Sequence, residues 1–174
     1  MHEPYADLPF DLNQTYSQDV LTPTSTMGMD VVGRRYKITN PADPSTPLVL
    51  VAVRYVGSSP LTAAAKVVQF VAGQTGVAFD GYLSTNGGTG KPLVPQLAGK
   101  TIQPNDIVYV VDDGLVELAK ATGSSITAGQ VVFANNQGLI SGAVTSGYPI
   151  GIAAASAGND ATTVKVRVLG GFRT

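Results

Sequence analysis

Few residues of this chain could do chemistry, and their positions argue against a catalytic site. The 174 residues include no cysteine and a single histidine, His2, which stands at a terminus. The folded part therefore lacks the commonest general base, the commonest metal ligand and a thiolate nucleophile. One adjacent carboxylate pair remains, Asp112 and Asp113, but neighbouring residues point apart, and Gly114 after them is typical of a tight turn. We predict that the protein is not an enzyme and holds no metal and no cofactor.

A glycine-rich stretch, Gly87–Lys91, is superficially similar to a phosphate-binding loop. Thr85 stands where the first glycine of that motif belongs, and Pro92 replaces the serine or threonine whose hydroxyl would bind magnesium. The chain also lacks the alternating Asp and Asn ligands, closed by a glutamate, of a calcium loop. The sequence therefore predicts neither nucleotide nor calcium binding, and no small-molecule substrate.

Composition indicates short strands joined by tight turns. Charged residues make up 13% of the chain, against about a quarter in an average domain, and there are 20 glycines and 11 prolines. No apolar run approaches the roughly 18 residues of a membrane span, and the N-terminus lacks the basic and apolar regions of a signal peptide. We expect a soluble, unsecreted all-β protein with no membrane partner.

The charges are unevenly placed along the chain. Residues 1 to 33 carry five acidic residues and no Lys or Arg, whereas the remainder carries eleven basic and seven acidic residues. Such segregation suggests that the acidic segment lies on a basic surface, either of this protein or of a partner. A nucleic-acid binder would require a basic stripe with interleaved aromatic residues, whereas the basic residues beyond Arg34–Lys37 are scattered singly, so the sequence predicts no nucleic-acid partner.

Residues 1 to 29 show no regular hydrophobic period, yet they contain spaced apolar side chains. We predict an extended acidic arm, separate from a β-rich domain of residues 30 to 174, that becomes ordered against a neighbouring subunit. The alternatives are that the arm packs over its own domain or is a solvated tail. The candidate anchors that would bind the neighbour are Tyr5, Leu8, Phe10, Leu12 and Tyr16.

Turn residues divide the domain into short strands. The N-terminal part predicts a strand that ends at Asn40-Pro41, a buried strand over Leu48 to Tyr55, and a strand from Lys66 that competes with a short helix after Thr62. The Gly- and Pro-rich segment 84–95 predicts a surface loop.

The C-terminal part predicts three hairpins. They are Ile107 to Ala119 around the Asp112-Asp113-Gly114 turn, Val131 to Ile140, and Tyr148 to Val168. Short antiparallel strands at this spacing are typical of a small β-barrel or sandwich. The fully apolar runs Leu48 to Val53 and Ile107 to Val111 further predict a subunit contact, because they exceed what one small open sheet needs to bury.

The order of segments in the C-terminal half resembles the small cement, or decoration, proteins on the outside of tailed-bacteriophage heads. The resemblance covers roughly residues 95 to 170, extends to the Val49 to Tyr82 region, and does not include the arm. The segments that carry it are Asn105 to Val111, Gly114, Ala128 to Val132, Gly138, Ile150 to Ala155, Ala157-Gly158 and Val164 to Val168.

The resemblance implies a structural virion protein that binds the outer surface of the capsid and cements neighbouring capsomers. The implied partners are the major capsid protein and other copies of this chain, as a homotrimer, since such proteins are commonly trimeric. The implied location is the outer capsid surface, and the host cytoplasm during assembly. The alternative is a β-rich phage fibre, receptor-binding or surface-adhesion module, for which the absence of Trp is unfavourable.

Overall fold

A computed structural model describes residues 32–64, 66–70, 76–78, 90–143 and 149–170. Within these ranges the chain forms twelve β-strands, one 3-10 turn at Pro95–Leu97 and no α-helix. The strands are β1 Arg35–Thr39, β2 Pro47–Tyr55, β3 Leu61–Thr62, β4 Val67–Phe70, β5 Gly76–Ala78, β6 Gly90–Pro92, β7 Thr101–Ile102, β8 Ile107–Ala119, β9 Val131–Ala134, β10 Ile140–Ser141, β11 Gly151–Ala153 and β12 Thr163–Val168. The prediction of an all-β protein is confirmed.

Ten of the strands form one sheet around β8, in the order β10-β9-β11-β12-β8-β2-β5-β4-β6, with β1 paired to β2. Strands β3 and β7 form a separate antiparallel pair. The strand pairs that the structure describes are all antiparallel except β2 with β5, and the isolated bridge of Lys120 to Ile140 is also parallel. The first part of β8 pairs with β2 and its second part with β12, so β8 divides the sheet into two regions. We call β1 to β7 with Ile107–Asp113 the N-terminal lobe, and Gly114–Ala119 with β9 to β12 the C-terminal lobe.

Both ends of the sheet return to β8 through single bridges. Leu93, directly after β6, bridges Val110, and Lys120, directly after β8, bridges Ile140 in β10. Each lobe therefore curls on itself without a complete closing ladder. The result is a curled, sandwich-like sheet and not a closed barrel.

Strand β8 departs from the predicted first hairpin, because Ile107–Ala119 is one continuous strand of 13 residues. Val49 lies opposite Asp113 and Leu50 opposite Val111, which leaves Asp112 as the extra residue of a β-bulge. Gly114 follows with φ at 129°. The predicted hairpin is wrong because each half of β8 has a partner from elsewhere in the chain, and these pairings prevail over the local turn preference of Asp-Asp-Gly.

The predicted surface loop is wrong at its C-terminal end, since strand β6 pairs with β4 there. Leu93 and Val94, directly after β6, are buried. Strand β6 is the last strand in the sheet order. It can contain Pro92 because a proline at a sheet edge removes few ladder hydrogen bonds. Residues 79–89 of this region lie outside the described residues.

The other strand predictions agree with the structure. Strand β2 matches the predicted Leu48 to Tyr55, β4 matches the strand predicted from Lys66, and β1 ends at the residue before Asn40. The pairs β9 with β10 and β11 with β12 are the second and third predicted hairpins.

Apolar side chains of both lobes form one core. In β12 the residues alternate between exposed and buried, as their period of two predicts, whereas β2 is almost continuously buried. The apolar runs in β2 and in the first part of β8 are covered within a single chain. They therefore give no support for the subunit contact that was predicted from them.

Candidate functional site

The bulge in β8 holds a cluster of buried charge. The Asp112 carboxylate lies 2.9 Å from Lys91 Nζ through Oδ1 and 2.8 Å from Arg35 Nη2 through Oδ2. Lys91 Nζ also donates to the Asp112 carbonyl oxygen at 3.2 Å. The side chains of Asp112 and Lys91 are 3% and 10% exposed, while that of Arg35 is half exposed. This ion cluster ties β1 and β6 to β8.

Lys91 has a structural role in this ion cluster. Its ammonium group points into the protein and is paired with Asp112. Lys91 is the last residue of the stretch that is similar to a phosphate-binding loop, and Gly87–Thr89 lie outside the described residues. The described part of this stretch is therefore a structural element of the sheet.

Two further side chains join the lobes beside the bulge. The Asp113 carboxylate accepts a hydrogen bond from the Gly170 backbone N–H at 3.1 Å. Asn40 is buried and donates through Nδ2 to the Leu115 carbonyl oxygen at 2.7 Å. The loop after β1 and the end of β12 are thus both fastened to the middle of β8.

The loop that follows Asn40 is organised by Asp43. Hydrogen bonds from the Ser45 hydroxyl and the Ser45 backbone N–H, with a smaller effect from Thr46, hold the pKa of the Asp43 carboxyl below its usual value. The positive charge of Arg167 in the C-terminal lobe acts in the same direction but contributes least. Asp43 thus stabilises its own loop.

A row of side chains crosses four strands on the outside of the C-terminal lobe. Val131 of β9 lies opposite Ile152 of β11, Ile152 opposite Arg167 of β12, and Arg167 opposite Leu115 of β8. Val131 is 43% exposed, the one large apolar side chain that is exposed among the described residues. Ile152 and Leu115 are half-buried, and Arg167 is exposed. We call these four residues together with Lys165 the outward face.

The basic residues of the outward face, Lys165 and Arg167, have no carboxylate within 4 Å in the part of the chain that the structure describes. Glu117 lies opposite Lys165 in the strand register, but it accepts a hydrogen bond from the Thr163 hydroxyl at 2.6 Å. The outward face therefore combines half-exposed apolar groups with two cations, one of which, Arg167, acts electrostatically on Asp43. Sequence reasoning recognised the alternation in β12 but could not place Val131, Ile152 and Leu115 beside it.

The predicted arm residues, Tyr5, Leu8, Phe10, Leu12 and Tyr16, all lie outside the described residues. Their role as anchors stays a prediction. In the described ranges, no group of three or more His, Cys, Asp or Glu side chains could hold a metal ion. No helix among the described residues is long and apolar enough to span a membrane.

Comparison with known proteins places this chain in a family. A model of the family described as "Phage cement protein" matches residues 60–168, or 109 of the 174 residues, from just before β3 to the end of β12. This chain belongs to that family, and it is accordingly a structural protein associated with the capsid of a phage.

Among solved structures, the chain is similar to the N base of the head fibre protein gp8.5 of bacteriophage phi29. The sequence identity is 15% and the TM-score is 0.43, with 68% of this chain and 93% of the fibre-base chain covered. A comparison with curated protein sequences finds no significant match.

Proposed function

We propose that this protein binds the major capsid protein on the outer surface of a phage head and cements neighbouring capsomers. The observation that carries the proposal is the family match, which covers β3 to β12 and so includes strands of both lobes. The proposed role is mechanical, without substrate or catalysis. The protein would meet assembling heads in the host cytoplasm and remain on the virion.

The arm is the proposed attachment element, with Tyr5, Leu8, Phe10, Leu12 and Tyr16 as anchors. Five apolar side chains contribute about 1.5 to 3 kcal/mol each when fully buried, or roughly 8 to 15 kcal/mol together. Ordering the backbone costs about 1 to 2 kcal/mol for each residue, so some twenty residues cost more than the anchors provide. Further contacts are required, and main-chain pairing with a neighbour and repeated attachment on a symmetric shell would supply them.

The test is to delete residues 2 to 24 and measure capsid occupancy by gel densitometry of purified particles. Phe10→Ala and Tyr16→Ala are tested separately, with Gln14→Ala as the matched control because it shortens a polar side chain of the same segment. We expect the deletion to abolish occupancy, the anchor variants to lower it and the control to leave it unchanged. Wild-type occupancy and salt resistance for the truncated protein would show that the arm is a solvated tail.

Self-association as a homotrimer is part of the proposal. The trimer is proposed because cement proteins are commonly trimeric. The apolar runs of β2 and β8 do not support it, because they are buried within a single chain. Native mass spectrometry of the purified protein at micromolar concentration tests it. A trimer is expected, and a monomer would count against the trimer while leaving capsid binding to be tested on particles.

A further inference from the structure

Strand β1 is the first described strand after the arm, and among the described strands it pairs with β2 alone. The pairing already begins before the strand. The Gly33 N–H donates to the Ala52 carbonyl oxygen at 2.7 Å, and the Ala52 N–H donates to the Arg34 carbonyl oxygen at 3.1 Å. From there Arg35–Thr39 lie opposite Pro47–Val51. The chain is therefore hydrogen-bonded to the sheet close to the point where the arm ends.

Two side chains fasten β1 to β8 across the strand that lies between them, β2. At the start of β1, Arg35 Nη2 lies 2.8 Å from Asp112 Oδ2 in the bulge of β8. Directly after the end of β1, Asn40 Nδ2 donates to the Leu115 carbonyl oxygen at 2.7 Å. Because Asp112 and Asn40 are buried, both contacts are stronger than they would be in water. Both ends of β1 are thus held by the strand that passes through both lobes.

The direction of β1 determines how a force on the arm acts on the sheet. Strands β1 and β8 are both antiparallel to β2, so they run in the same direction. The arm joins β1 beside Ala52, which lies opposite Tyr109 near the start of β8, whereas Thr122 follows the far end of β8. A force that pulls the arm away from the far end of β8 therefore acts along the strands, at right angles to the ladder hydrogen bonds. All pairs of β1 and both side-chain contacts then have to yield together.

We propose that β1, with the contacts of Arg35 and Asn40, is a mechanical clamp that passes tension from the arm to β8 and so to both lobes. This inference rests on the proposed function, in which the arm attaches the protein, because capsomers that move apart would then pull the arm against the domain. A strand held by β2 alone could separate and lengthen the connection. With the clamp, β1 cannot leave β2 without also breaking its contacts to β8. The clamp acts in the same way whatever surface the arm binds.

The absence of cysteine allows force to be applied at chosen points of the 174-residue chain in an optical trap. Ser25→Cys in the arm and Thr122→Cys in the exposed loop after β8 provide the axial handles, which load β1 along the strands. Ser25→Cys and Ser58→Cys provide the hairpin handles. Ser58 is exposed and follows β2 at the end where the arm joins, so these handles separate β1 from β2 one pair at a time. Release of β1 alone frees residues 33–46 and gives a short step of about 30 Å, whereas opening of the domain gives a step several times longer.

With the axial handles, we expect the wild-type domain to open at constant force without a preceding short step. Arg35→Met and Asn40→Ala should each make the short step the first transition, and it should occur about tenfold sooner than the first transition of wild type, because forced opening follows the unfolding rate. Lys165→Met and Asn136→Ala, at exposed positions of the C-terminal lobe, are the matched controls and should behave as wild type. With the hairpin handles, β1 of the wild-type protein should separate at least about tenfold faster at the same force.

Two outcomes would overturn the inference. A short step before domain opening in the wild-type protein, pulled by the axial handles, would show that β1 yields before the rest of the sheet. First transitions that are equally fast in Arg35→Met, Asn40→Ala and their controls would show that the contacts to β8 bear no load. The proposed function is judged separately by the capsid occupancy of the arm deletion, because the force measurement uses the protein without capsids.

Discussion

The two lobes each bury one lysine, and they stabilise it by different means. In the N-terminal lobe, Lys91 is paired with the Asp112 carboxylate in the bulge of β8. Directly after β8, beside the C-terminal lobe, Lys120 is equally inaccessible, but the partners of its Nζ among the described residues are backbone carbonyls, those of Ala121 at 2.8 Å, Ala161 at 3.3 Å and Asn159 at 3.5 Å.

The two lysine sites differ in the group that stays buried without a partner after a substitution. Loss of the Asp112 carboxylate leaves a buried ammonium group without its counter-charge in the middle of the sheet. Loss of the Lys120 ammonium leaves neutral carbonyls in loops at one end, where water can reach them. The lobe junction should therefore depend strongly on one residue, whereas the far end of the C-terminal lobe should tolerate substitution better.

Asp112→Ala should have the largest effect. Removing one partner of a buried ion pair costs about 3 to 5 kcal/mol, because the other charge stays buried without compensation. Urea denaturation followed by circular dichroism measures the change in the free energy of unfolding. Asp113→Ala, which loses the hydrogen bond from the Gly170 N–H, is the control and should cost about 1 kcal/mol. Equal losses for the two variants would contradict the special role of the bulge.

Gly114→Ala should rank next, because it perturbs the point where β8 passes from one lobe to the other. A Cβ atom at Gly114 would lie 2.8 Å from Leu48 Cδ1 and 2.9 Å from the Pro47 carbonyl oxygen, and φ is 129°. Strain and overpacking together should cost about 2 to 4 kcal/mol by thermal or urea unfolding. Gly158→Ala, where the added Cβ would meet open space, should change stability by less than about 1 kcal/mol.

Lys120→Met should cost about 1 to 2 kcal/mol, less than Asp112→Ala, because carbonyl groups near the surface regain hydrogen bonds to water. The same unfolding measurement applies, with the exposed Lys165→Met as a control that should change stability by less than about 0.5 kcal/mol. A loss for Lys120→Met as large as that for Asp112→Ala would remove the contrast between the lobes.

Asp43→Asn should have the smallest effect and a characteristic dependence on pH. The pKa of Asp43 is lowered in the folded state, so its ionised form adds stability above the unfolded pKa of about 3.9, and this contribution is lost as pH falls through the lower folded value. The stability difference between wild type and Asp43→Asn should therefore shrink on acidification. Asp160→Asn controls for net charge, and a difference that is constant with pH would refute the interpretation.

Local sequence patterns were sufficient where a strand pairs with its neighbour in the chain. The alternation of β12 and the turn Asn135–Gly138 between β9 and β10 both act over a few residues, and both predictions are confirmed. The candidate attachment residues of the arm were also chosen from sequence, and they stay predictions because they lie outside the described residues. The ion cluster and the outward face had no sequence signal of this kind.

The sequence by itself determined the all-β class, the short strands and the absence of thiol chemistry, because these depend on residue type and on a period of two. Tertiary structure alone decided that Asp112-Asp113-Gly114 is not a hairpin turn, since β2 pairs with the first half of β8 and β12 with the second, with a bulge at Asp112. It also decided that Lys91 meets Asp112 and that Val131, Ile152, Arg167 and Leu115 align. These contacts join residues distant in the chain, and their register is set by strand pairing across the whole sheet, which no local pattern encodes.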